Sequence, residues 1–86
     1  MNLEVNGLSL YFPREEYETS FLFQERVSFF VHFYETYSGS YKKLLQLSHI
    51  WVHSKYHQNT YSSSIMQELT ELIKGTSFMI YESSFV

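Results

Sequence analysis

Residues 26–36 read RVSFFVHFYET, a run of β-branched and aromatic side chains ahead of the Ser38-Gly39-Ser40 turn, and the fold depends on how that run is read. Strand geometry puts Val27, Phe29, Val31 and Phe33 on one face and Phe30, His32 and Tyr34 on the other. A helix over the same residues would be apolar all round, whereas a strand covered on both faces explains the pattern. The run therefore predicts a central strand, with His32 as a hydrogen-bonded residue of an apolar layer.

Upstream, Leu3 and Val5, then Leu8, Leu10 and Phe12, alternate around Asn6-Gly7, the strongest short signal for a type I′ hairpin. That register sets Val5 against Leu8 and Leu3 against Leu10 on the core side, with Glu4, Ser9 and Tyr11 outward. Pro13 then opens a short helix to about residue 23, placing Glu15 and Glu16 near its N-terminus. An extended segment is the alternative, because Phe21 and Phe23 alternate and no Ser or Asp cap precedes Pro13.

Downstream of the Ser-Gly-Ser turn, Tyr41, Leu44, Leu45, Ser48, Trp51, Val52 and Tyr56 recur at helical spacing, predicting a helix from Tyr41 to about His57. After a polar stretch, Ser64 and Gln67 form a capping box for a helix striped by Ile65, Met66, Leu69, Leu72 and Ile73 and ended by Lys74-Gly75. Thr76 to Glu82 reads as a final strand, with Phe78 and Ile80 opposite Met79 and Tyr81, and the last four residues are expected to fray unless Phe85 docks. The expected fold is α+β: a small antiparallel or mixed sheet of N-terminal hairpin, central aromatic strand and C-terminal strand, with two to three helices on one face. Residues 1–86 form a single domain.

Composition limits the chemistry. The chain has no cysteine, so disulfides and thiolate metal sites are excluded, and all nine acids are Glu, which excludes Asp nucleophiles and Asp-based metal loops. Three glycines form no phosphate-cradling loop, and no G-x-S-x-G elbow is present. Neither a long apolar run nor a leader pattern occurs, so no membrane association and a cytoplasmic location are expected. The net charge of −3 is uneven: residues 1–40 carry six Glu against two Arg, and residues 41–86 carry four Lys against three Glu.

His49, His53 and His57 fall within about 80° of one another on the second predicted helix, opposite Leu44, Ser48 and Trp51. A pair at i and i+4 is a metal-clamp candidate, but HIWVH lacks the metalloprotease Glu, and a polar solvent stripe is the favoured reading, so no metal or other cofactor is expected. Aromatic residues make up 20% of the chain. Phe21, Phe29, Phe33 and Phe78 are assigned to the core, which leaves Tyr37, Tyr41, Tyr56 and Tyr61 as binding anchors. The resulting expectation is a small non-catalytic protein acting stoichiometrically on a protein partner, of the inhibitor, immunity, antitoxin or phage-accessory type. Glu15, Glu16 and Glu18, with Glu25, would meet a basic partner surface, and the tyrosines would supply the anchors. The alternative is a single-stranded nucleic-acid binder using Lys42, Lys43 and Lys55 beside Tyr37, Tyr41 and Tyr56, and self-association to a homo-oligomer through the open sheet edge or the aromatic surplus is a third.

Overall fold

The computed structural model describes residues 2–57 and 60–80. Among these, two strands, β1 (Asn2–Val5) and β2 (Leu8–Tyr11), precede three helices: α1 (Ser20–Phe33), α2 (Tyr41–Tyr56) and α3 (Ser63–Ile73). The α+β class holds, with the sheet reduced to one antiparallel hairpin.

That hairpin follows from Asn6-Gly7, whose φ values of 52° and 81° are both positive, as a type I′ turn requires. Its register pairs Val5 with Leu8 and Leu3 with Leu10, as the alternation demands. Val5 is buried and Leu3 and Leu10 half-buried, but Leu8 remains 54% exposed, so the helical layer does not cover the whole inward face.

Residues 26–33 are helix, not a central strand, and Pro13 does not open a helix. Helix α1 starts where the Thr19 hydroxyl accepts the Leu22 N–H at 3.1 Å, a side-chain cap six residues beyond Pro13. Its buried residues are Leu22, Phe23, Arg26, Phe29, Phe30 and Phe33, the three- and four-residue spacing of one helical face. The period was masked by Phe21 and Val31, apolar residues on the exposed side, and by Arg26, a charged residue on the buried side. His32 is accordingly exposed, its ring edge-on to Phe33 and Phe78, and is not a layer residue of a strand.

Helix α2 occupies nearly the expected span, capped by Ser40, and buries Leu44, Leu47, Ser48, Ile50, Trp51, Val52 and Ser54. Trp51 stacks on Phe29 of α1 at 5.1 Å between ring centres. For α3 the cap is Ser62, two residues before the expected Ser64, and Met66, Leu69 and Ile73 are buried. Three consecutive serines offer equivalent caps in sequence, and the first of them accepts the Ile65 N–H. Gly75, at φ 82°, closes the helix as expected.

Residues 76–80 are not a strand. They cross the α1–α2 pair, with Phe78 against Phe29, Phe33 and Trp51, and the Met79 carbonyl accepts the Trp51 Nε1–H at 2.8 Å. The rest of the expected final strand and the docking of Phe85 lie outside the described residues.

The helical assignment of 26–33 separates two neighbours that differ little in hydrophobicity. Val31→Lys is expected to change stability by no more than about 0.5 kcal/mol, and Phe30→Ala to cost about 3–5 kcal/mol, measured by urea unfolding. A strand with Val31 in the core would make the lysine variant the more damaging or comparably so.

Candidate interaction surface

The segment between β2 and α1 is fixed by one ion pair. Arg26 Nε donates to Glu18 Oε2 at 2.6 Å and its Nη2 to Glu18 Oε1 at 2.9 Å, with both residues buried. The same Nη2 also donates to the Pro13 carbonyl at 2.6 Å, and the guanidinium lies 4.7 Å from the centre of the fully buried Phe12 ring. A turn from Glu15 to Glu18 and the Arg14 contacts with the Glu18 carbonyl complete the clasp. Burial pushes the Glu18 pKa up, but hydrogen bonds and charge from Arg26 outweigh it and hold the carboxyl below its ordinary value. Glu18 therefore is not a partner-facing carboxylate; it is spent inside the fold.

With that segment pinned, Tyr17 and Phe21 are turned outward on either side of the Thr19 cap, 62% and 59% exposed. Phe21 meets the exposed Tyr56 ring edge-on at 5.4 Å, and Tyr17 meets His53 edge-on at 6.0 Å. Tyr56 and His53 are one helical turn apart at the end of α2, so the two ring pairs are neighbours along α2 and together make up an aromatic face. Glu15 and Glu16 stand exposed beside Tyr17. At the opposite corner the Tyr56 hydroxyl donates to Glu25, which also pairs with Lys55 Nζ at 3.7 Å.

The expected tyrosines divide into two groups. Tyr56 lies on this face, and half-buried Tyr61 packs against the core. Tyr37 and Tyr41 lie at the other end of α2, roughly 22 Å away at helical rise. There the Tyr37 hydroxyl donates to Glu68 at 3.3 Å, and the Tyr41 hydroxyl donates to the Tyr11 carbonyl. Both line a hollow of about 480 Å³ at the α1–α2 turn rather than the aromatic face. Tyr17 was not among the expected anchors, and Phe21, expected in the core, is exposed. The signal was Thr19, a usable cap that would have set Phe21 and Phe23 on different sides of one helix.

The histidines are not a solvent stripe. His49 and His53 are half-buried, only His57 is exposed, and the rings stack at 4.1 Å and 5.0 Å. Among the described residues no group of three or more His, Cys, Asp or Glu is placed to hold a metal ion. Burial, then the charges of His49 and His57, push the His53 pKa from 6.5 down to about 4, and burial lowers His49 as well. His49 and His53 are therefore neutral at neutral pH.

The ion pairs also bear on the nucleic-acid reading: Lys43 pairs with Glu68 at 3.5 Å and Lys55 with Glu25, while Lys42 is exposed near the start of α2. No helix among the described residues is long and apolar enough to cross a membrane. Comparison with protein-family models, curated proteins and solved structures finds no match to this chain.

Two outcomes follow from the clasp and the stack. Arg26→Met alone, which strands a buried carboxylate, is expected to cost about 3–5 kcal/mol in denaturant unfolding, and adding Glu18→Leu to recover most of it. For pH, the unfolded chain takes up protons near 6.5 that folded His53 refuses until about 4, so stability falls as pH drops through that window. Glu18, ionised below its ordinary value of 4.5 when folded, adds a further loss as pH falls below that value. Melting temperatures of His53→Gln are expected to decline less than wild type between pH 6.5 and 4.

Proposed function

We propose that this chain is a small non-catalytic binding protein that acts stoichiometrically on a protein partner, docking through the face of Tyr17, Phe21 and Tyr56. The observation that carries the reading is the exposure of three large rings in one place, two of them above 50%, on a chain with a well-filled core elsewhere. A contiguous exposed apolar patch rimmed by polar groups is what protein interfaces use, and rigid rings supply contact area at small entropic cost. Glu15 and Glu16 supply the acidic rim that Glu18 was expected to share. Size and mild acidity fit the inhibitor, immunity, antitoxin or phage-accessory class and a cytoplasmic setting, by analogy alone.

The single-stranded nucleic-acid reading is weaker, because two of its three lysines are held by carboxylates and the exposed rings are flanked by Glu15 and Glu16. Self-association through the same face remains a competing use of the surface, separated by light scattering on the purified chain.

Quantitative affinity capture from the source cells tests the proposal, comparing wild type with Tyr17→Ser/Phe21→Ser. Because both side chains are exposed, the variant is expected to keep its helical circular dichroism while losing about 30-fold or more in affinity for a partner bound at one-to-one stoichiometry. A variant that retains the same partner at wild-type affinity removes this face from the interface.

A further inference from the structure

One corner of the aromatic face already holds a cation. Lys55 Nζ lies 3.7 Å from Glu25 Oε1, 5.0 Å from the centre of the Tyr56 ring and 4.6 Å from that of Trp51. The Tyr56 hydroxyl donates to the same carboxylate, and the Phe21 ring meets Tyr56 from the outer side. A carboxylate flanked by aromatic rings is the chemistry that recognises ammonium and guanidinium groups. Lys55 fills it loosely. Its nitrogen is beyond hydrogen-bond length from Glu25, and a hollow of about 180 Å³, lined by Lys55 with Ser77, Met79 and Ile80, gives its flexible stem another place to lie.

We infer that Lys55 is a place-holder in a cation subsite, and that the protein partner inserts an arginine side chain there, bonding Glu25 and displacing the lysine nitrogen. Arginine fits better than lysine because its planar fork can bond a carboxylate at two points while stacking on a ring. The exposed Glu15 and Glu16 at the other edge attract a cationic segment to the face, which fits a basic stretch of polypeptide and disfavours a phosphate backbone. The inference rests on the docking reading above and names the chemistry of what docks.

The test uses the full chain, a short blocked arginine-rich peptide as probe and a glutamine-rich peptide of equal length as control, followed by NMR titration. The arginine peptide is expected to shift the Phe21, Tyr56 and Lys55 signals, and the glutamine peptide to leave them unchanged. Glu25→Gln is expected to weaken binding, and Lys55→Met to tighten it, each by about two- to fivefold. Lys42→Met makes the same change of net charge at the far end of α2, and is expected to have a smaller effect than Lys55→Met. Equal gains from the two lysine variants, or shifts confined to other parts of the surface, overturn the subsite. A captured partner that is lost with Tyr17→Ser/Phe21→Ser but indifferent to Glu25→Gln overturns the arginine subsite and leaves the docking reading standing. A partner indifferent to both overturns the two together.

Discussion

A guanidinium set against a phenylalanine ring governs much of this architecture. Arg26 reaches from the inner face of α1 to bond Glu18 at two points and the Pro13 carbonyl at a third, while its flat face covers Phe12. The contact joins three parts of the chain with no regular structure in common: the end of the hairpin, the segment before α1, and α1 itself. Removing either charge would strand the other in a place water does not reach, which is why the pair is coupled to the position of the whole segment. Phe12, edge-on to Phe23 and Phe30, then ties the hairpin to the helical core.

That same clasp decides what the surface offers. Between Pro13 and Thr19 the backbone has no helix or strand to hold it, so the outward direction of Tyr17 is set by the tether at Glu18, and that of Phe21 by the cap at Thr19. The aromatic surplus is thereby divided. Phe12, Phe29, Phe30 and Trp51 are fully buried and fill a core that has no disulfide to help it. Tyr37 and Tyr41 spend their hydroxyls on Glu68 of α3 and on the hairpin end, whereas Tyr17, Phe21 and Tyr56 remain on view.

Local sequence was enough where the signal was local. Asn6-Gly7 specified the hairpin and its register, Ser38-Gly39-Ser40 set the start of α2, and the stripe of Ile65, Met66, Leu69, Leu72 and Ile73 defined α3 with its Gly75 stop. It was insufficient over residues 26–36, where nearly every side chain is apolar. A period of two and a period of 3.6 can both be drawn through such a run, and strand propensity then points the wrong way. The strand propensity of Val and Phe is outweighed by packing of α1 on α2, with Phe29 stacked on Trp51.

The sequence by itself determined the class of fold, the hairpin, two of the three described helices, and the exclusion of thiol and aspartate chemistry, because turn geometry, helical periodicity and residue inventory are properties of short stretches or of the whole composition. Tertiary structure alone decided that Arg26 is a core residue, that Glu18 is its partner and not an external contact, and that His49 and His53 are half-buried and held neutral. It also decided which tyrosines share a surface. Each of these depends on what lies opposite a side chain in space, and an ion pair or ring contact between separate elements leaves no periodic trace in the chain that makes it.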